Sequence, residues 1–569
     1  MRFYCLDFGG SLIKSLVSSS VGIVFAMLGN VCFAAVEAQL PDKNATQISS
    51  TTVLPSVNPW LAKSAYPISH HNAAQTDVTL VDGPRISKQL THDDARYVPL
   101  LWCSAPTYKH VKGGTVVIAS NPLGIMKIRA TGEDFSMISN VAYPGREDVH
   151  AEVSDDDILK VMRDIDEKRH NKQDILLLLN SWWMYWKLNI NMRTMPSGAY
   201  AIIDKDGYHY AAYDKYHLVK SFDNNDVDAP LLPVKSANIV EQLPDDVADS
   251  VEKILGLTMT YDGHLVAAAN GVVMIADREL NLKDYVAFPA EHVENSVAVD
   301  ADNGIFVVTS KAMHKLNWNG ESLAHGDQPG AWTSAYDVMA EGEAQAMGAA
   351  SHGSGTTPAL LGFGDDEDKL VIISDGSPDG AQIVAFWRDE IPTEFEQRAG
   401  TKSRRIADQI RLSISDTTIE ACPVVYGNGI LVVNSTYPEP GPISMDLISN
   451  AFLAGTTRKA PRGIQKYEWN SDTRKLEESW SMPDVDNTDW MPPAVSAANG
   501  LVYIANKRND VYEYFAADWI TGEVKAVWPF PDNSVLWNTW GGITVFLEDG
   551  DFLLGGFFAL KRFNTGGLR

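Results

Sequence analysis

Gly429-Ile430-Leu431-Val432-Val433-Asn434-Ser435 opens on glycine, runs through four branched apolar residues and closes on two small polar ones. The same unit recurs along the chain. Gly114–Ser120 (GTVVIAS), Gly304–Ser310 (GIFVVTS), Gly500–Asn506 (GLVYIAN), Gly263–Ala269 (GHLVAAA) and Lys369–Asp375 (KLVIISD) are further copies. Such near-continuous apolar runs read as strands that need cover on both faces. Asp262-Gly263, Asn303-Gly304, Asn428-Gly429 and Asn499-Gly500 precede four copies. These pairs favour tight hairpins, because both central residues tolerate positive φ. Repeated short sheets packed side by side around a ring supply the two-sided cover. The predicted fold is therefore all-β, a seven- or eight-bladed β-propeller.

Working outward, a proline-led strand precedes the turn at Ala105-Pro106-Thr107, Thr357-Pro358-Ala359, Cys422-Pro423-Val424 and Pro492-Pro493-Ala494. Proline is tolerated where a strand begins. Third strands follow at Gly463–Trp469 and Asp510–Tyr514, and fourth strands end at Trp480 and Trp528. Ala516-Ala517-Asp518-Trp519-Ile520-Thr521-Gly522-Glu523, running on to Trp528, resembles the quinoprotein (PQQ-like) repeat. Blades of that family carry Ala-x-Asp-x-x-Thr-Gly followed by a docking tryptophan. Here Trp528 falls two residues late, and the other blades keep the strand rhythm but lose most of the Thr-Gly element. The resemblance covers roughly residues 100 to 565 and implies the propeller architecture; function does not follow from the fold. Blades are placed near 100–135, 195–222, 255–285, 294–325, 356–396, 420–480, 489–528 and 536–565. The second is the least regular, and the count is seven without it. Ser154–Arg169 reads as a capped amphipathic helix. It forms a helical insertion over about 150–192.

The chain has 569 residues, with 73 acidic against 47 basic side chains and a net charge of -26. So negative a surface repels phosphate backbones, which argues against nucleic acid and anionic membranes as partners. Arg2 and Lys14 precede an apolar run, Ser15 to Ala35, with small residues at Ala34 and Ala35. This reads as a signal peptide over 1–35, hence a periplasmic or secreted protein with no transmembrane segment after cleavage. The alternative is a retained anchor, since the run approaches the roughly 20 residues of a spanning helix. Residues 36–96 read as a disordered leader or an arm lying over the surface. Cys103 and Cys422 remain in the mature chain, either paired or as two separate buried thiols.

Propeller ligands bind where the loops leading into the innermost strands converge. Those loops hold His352, Thr356, Glu420, Asp489, Trp490, Trp537, Asn538 and Trp540. Asp489, Glu420 and His352 are the candidate acid/base groups. Trp490, Trp537, Asn538, Trp540 and Thr356 are candidate substrate contacts, Leu536–Gly542 offering a flat aromatic platform. The opposing reading is that these tryptophans wedge between blades. Glu294-Asn295 resembles the calcium-binding strand start of lactonase propellers and is the candidate metal pair. The plainer reading is ordinary polar loop residues. No Cys-Cys pair is present, of the kind that stacks on the quinone in alcohol-dehydrogenase members of the resembled family. The cofactor is thus left open, with calcium the candidate and PQQ not expected. Asp204-Lys205-Asp206-Gly207 reads as a hairpin turn. Two functions follow. One is an exported propeller that binds a small organic molecule at the axial channel mouth. In its stronger form it is a quinoprotein-like oxidoreductase or a metal-dependent hydrolase or lyase. The other is a non-catalytic scaffold for protein partners in the periplasm or envelope. A filled channel favours the scaffold.

Overall fold

The computed structural model describes residues 52–177, 198–340, 342, 352–366, 368–375, 377, 380–414, 418–438 and 451–569. The signal-peptide reading, the first part of the leader and the Trp-rich segment after Leu179 lie outside these residues.

Eight antiparallel sheets follow one another along the chain, spanning 107–142, 201–238, 254–287, 298–335, 359–411, 424–486, 494–529 and 545–563; we call them blades 1 to 8. The irregular second segment is therefore a true blade. Blade 8 takes three strands from the C-terminus, and its outermost strand is β2 (Ala95–Pro99), paired with Ala559–Phe563. Chain start and chain end thus close the ring in one sheet, which leaves no open edge between them.

The quoted repeats are the second strands. Leu265–Ala269, Gly304–Val308 and Gly429–Val433 are buried throughout, because neighbouring blades cover both faces. Each junction between neighbouring blades has its own apolar cluster, so the core is eight interfaces rather than one centre. Outer strands are mostly exposed or half-buried instead, as in Lys475–Asp486. The hairpin turns need left-handed backbone, and it falls on Gly263, Asn303, Gly427 and Gly500. A Cβ on Gly263 would also collide with the Trp60 ring.

The expected docking tryptophans sit elsewhere than expected. Trp318, Trp469 and Trp519, at third-strand ends of blades 4, 6 and 7, each donate an indole N–H to the preceding blade's first turn. Their acceptors are Asp262 (3.0 Å), Asp368 (2.9 Å) and the Tyr426 carbonyl (3.2 Å). Trp528 donates instead to the Ile86 carbonyl (2.8 Å) and Trp480 to the Trp519 carbonyl (3.1 Å).

The largest correction concerns the leader. Residues 58–81 form a hairpin inside the ring. The chain enters at the lower face, where Asn58 Nδ2 donates to the Met259 carbonyl (3.0 Å). It rises to Ser69, whose hydroxyl donates to the Ala199 carbonyl, and turns over 70–77. It then descends as β1 (Val78–Thr79), parallel to the first strand of blade 7. Innermost strands present unpaired N–H groups, and the hairpin carbonyls meet them. Tyr108 N donates to Tyr66 O (3.1 Å), Ile203 N to Pro67 O (2.8 Å) and Val299 N to Ala73 O (2.7 Å). Leu360 N donates to Ala74 O (3.1 Å), Val425 N to Thr76 O (3.0 Å) and Val495 N to Asp77 O (3.0 Å). His71 Nε2 reaches the Thr544 carbonyl of blade 8 at 3.0 Å. With Asn58 on blade 3, the hairpin touches all eight blades. Polar composition misled the reading, because these backbone groups find partners only inside the assembled ring. The surface-arm description fits residues 52–57, where Tyr261 Oη donates to the Ser56 carbonyl (2.8 Å), and Pro84–Asp94, where Lys88 and Leu90 bond the last strand of blade 7.

The predicted helix is present over Asp155–His170, capped by Ser154. We call it α1. Arg169 ties it to Asp510 at 2.9 Å, and Asp166 accepts from Val535 N at 2.8 Å. Cys103 and Cys422 are unpaired and buried, at the starts of blades 1 and 6. The pairing alternative is thereby excluded. Asp204 is the hairpin turn expected, accepting from the backbone of Asp206 and Tyr208.

Candidate functional site

Alternating strand direction puts the loops leading into first strands, and the second-to-third-strand loops, on one upper face. The 388–405 connection joins a third to a fourth strand on the opposite face, while the described ends of three long connections, 143–200, 336–358 and 434–461, lie on the upper one. Between blades 6, 7, 8 and 1 this face gathers an aromatic cluster. Trp490 and Trp540 stack at 5.8 Å and 26°. Tyr437 lies 5.4 Å from Trp490, and Phe557 stacks on Trp540 at 5.0 Å. Trp102 closes the group, 6.0 Å from both Trp540 and Phe557. Trp540 Nε1 donates to Tyr437 Oη (3.2 Å), which donates to the Thr488 carbonyl (3.0 Å). Trp102 and Trp490 hold φ of +52° and +49°. Bulky residues rarely adopt that region, and such strain concentrates at functional sites. Their indole N–H groups are buried without a partner, as is Asn538 Nδ2. Buried unmet donors of this kind call for a reason.

Beneath the rings lies Asp489. Its carboxylate accepts from Thr539 N (2.7 Å) and Thr539 Oγ1 (2.8 Å). Burial pushes this carboxyl up to about 6, against the hydrogen bonds from Thr539 and the charges of Lys507 and Lys561. Burial likewise pushes the Lys561 ammonium down to about 7, opposed by Asp489. Lys561 donates to the Asn538 carbonyl. Two buried groups therefore titrate close to neutrality, a pattern common where protons are handled. The adjoining cavity is only about 10 Å³, room for one water, and Asp489, Lys507 and Tyr512 border it.

Asp489, Trp490, Trp540 and Asn538 are thus brought together, with Asn538 Oδ1 accepting from Phe557 N (3.1 Å). Trp537 is not part of the group. A 3-10 turn over Val535–Trp537 swings it back over blade 8, where Nε1 donates to Asp532 (2.7 Å) and the ring meets Phe563 at 5.7 Å. The single Trp537–Trp540 platform therefore does not form. Thr356 is buried and bonded to Ser354 (3.0 Å), at the start of blade 5. The backbone N–H of Glu420 donates to Ser435 Oγ (3.1 Å), at the start of blade 6. His352 accepts Met339 N at its carbonyl (2.9 Å) and is within electrostatic reach of Glu294. Burial raises the Glu294 carboxyl. Asn295 is committed to structure: Nδ2 donates to the Gly355 carbonyl (2.9 Å), and Oδ1 accepts from Tyr200 Oη and Ser296 N. Among the described residues, the His/Cys/Asp/Glu group close enough to hold a metal is instead His70, Asp77 and Cys422.

Sequence reading missed Trp102, Tyr437, Phe557 and Lys561. A signal for Trp102 existed. Trp102, Trp490 and Trp540 each stand four or five residues ahead of an innermost strand, in three different blades. Elsewhere, a cleft of about 340 Å³ lies at the ring closure beside Asp94, Asp549 and Arg562. Its Arg562 is tied to Asp549 and Asp551.

No protein-family model matches the chain. An uncharacterized protein of Archaeoglobus fulgidus is 34% identical over 301 residues, 49% of this chain and 54% of that protein. The chain therefore spans about half the length of this curated relative. Among solved structures, Saccharomyces cerevisiae Sqt1 matches with a TM-score of 0.42 at 10% identity, over 84% of this chain and 99% of its own. The Pseudomonas aeruginosa periplasmic gluconolactonase matches with a TM-score of 0.30 at 14% identity, over 57% and 77%. The Neurospora crassa Pan2 WD40 domain matches with a TM-score of 0.33 at 8% identity, over 63% and 86%. These likenesses are of fold alone.

Proposed function

We propose that this chain is an exported, non-catalytic propeller that holds an envelope protein on its upper, insertion-bearing face. One observation carries the reading: the axis that serves other propellers as a ligand path is filled here by the chain's own hairpin. On the face above, the rings of Trp102, Trp490, Trp540 and Phe557 pack on one another, and the cavity beside Asp489 has room for one water. Contiguous exposed apolar side chains mark interaction surfaces. On the upper-face insertion, Ile175 and Leu176 are 69% and 47% exposed. Export rests on the N-terminal apolar run, and a quinoprotein-type repeat rests on Ala516–Glu523.

A second reading has its own support. The strained Trp102 and Trp490, with unmet donors there and on Asn538, suit a small organic acceptor at the mouth. One experiment separates the two. A photo-crosslinking side chain replaces Ile175, or Glu523 on the opposite face as control, in cells expressing the protein. The scaffold reading expects a discrete adduct from position 175 and none from 523. No adduct from 175, with native mass spectrometry showing a bound molecule that Trp490→Ala releases, would replace it with the ligand reading.

A further inference from the structure

At the hairpin tip, inside the ring, His70 Nδ1 and Asp77 Oδ2 lie 2.8 Å apart, with side chains 4% and 0% exposed. Cys422, leading into blade 6, brings a third donor, and the three ligand atoms all lie within 4.8 Å of one another. Cys422 Sγ has only weak contacts, to the carbonyls of Gln75, Thr357 and Pro423 at 3.5, 3.3 and 3.5 Å. Asp77 Oδ1 is fully buried and has no hydrogen-bond partner, and Gln75 Oε1 on the same turn is likewise unmet. An unpartnered carboxylate oxygen in a dry interior is costly unless something positive meets it.

We propose that His70, Asp77 and Cys422 bind a zinc-type transition-metal dication that pins the N-terminal hairpin in the ring. The donor chemistry selects the metal. Imidazole, thiolate and carboxylate together suit zinc at about 2.0–2.3 Å, whereas calcium and magnesium want oxygen alone. Charge balance favours it too. A dication with one carboxylate, one thiolate and a neutral imidazole has no net charge, which a buried site requires. Binding releases the Cys422 thiol proton to solvent, and ligation through His70 Nδ1 puts the proton of the neutral imidazole on Nε2. No electron is transferred. This inference is independent of the partner-binding reading, since it concerns the axis and not the upper face.

The test uses the full chain, Zn²⁺ and Co²⁺. Purified protein is expected to retain about one zinc per chain through gel filtration. Cobalt-exchanged protein is expected to show a near-ultraviolet thiolate-to-cobalt band, lost in Cys422→Ser and kept in Cys103→Ser. If Cys422→Ser fails to fold, the wild type supplies the second readout. Chelator should then raise the reaction rate of Cys422 with a thiol reagent at least tenfold. Less than a tenth of an equivalent of zinc would overturn the proposal. So would cobalt bound without the band, as an adventitious ion only, or a band untouched by Cys422→Ser. A chelator-insensitive thiol in metal-incubated protein would overturn it as well.

Discussion

At the scale of residues, the mouth shows how burial sets chemistry. Asp489 is held by Thr539 and pushed up to about 6. Its carboxyl therefore binds a proton more readily folded than unfolded between the ordinary carboxylate value and about 6. Stability from this group is full below that window and falls as pH rises through it, by about 3 kcal/mol at ~1.4 kcal/mol per unit. Asp489→Asn keeps an acceptor for Thr539 and removes the titration. Urea unfolding across pH 4 to 7 should show the variant gaining on the wild type by about 3 kcal/mol over that range. A difference that stays constant with pH would refute the burial account. Asp489 and Trp490 were legible because they stand in a loop leading into a proline-marked strand. Trp537 was misread because a single 3-10 turn redirects it, and nothing in Leu536–Gly542 announces that turn. His70 and Asp77 were not legible at all. Their meaning depends on Cys422, about 350 residues away and brought near only by ring closure.

At the scale of elements, the second strands were readable from one face pattern, since two neighbours cover them and every position turns apolar. Outer strands and junction devices were harder, because their partners lie in the next blade. Third-strand tryptophans are the clearest junction device. Trp469 spans from blade 6 to Asp368 of blade 5, while Trp387, at the matching position of blade 5, has its indole N–H buried without a partner. Trp469→Phe should therefore cost about 1–2 kcal/mol more than Trp387→Phe, since only the first strands a buried charged acceptor. Chemical denaturation of both variants measures this directly. Equal losses would mean that ring packing alone, and not the interblade hydrogen bond, holds these junctions. The Thr-Gly element of the resembled repeat is legible here as a turn. Asp518 Oδ1 accepts from Ile520 N, Thr521 N and Thr521 Oγ1.

At the scale of the whole molecule, eight sheets close through β2 and are then filled along the axis by the hairpin before it. The ring was legible as repetition; the plug was not, because a polar, irregular segment carries no period to read. It is held by backbone bonds to six innermost strands and by the Asn58 and His71 side chains on the other two blades, partners that exist together only in the closed ring. An open channel would make the mouth a ligand path, and the proposed scaffold role rests on the channel being filled. Hydrogen exchange on the intact protein, followed by mass spectrometry, tests this most directly. Peptides covering 66–79 should be protected as long as those covering Val424–Tyr426 and Ala494–Ser496, all opening together. Exchange of 66–79 at the rate of free chain, beside protected inner strands, would contradict it.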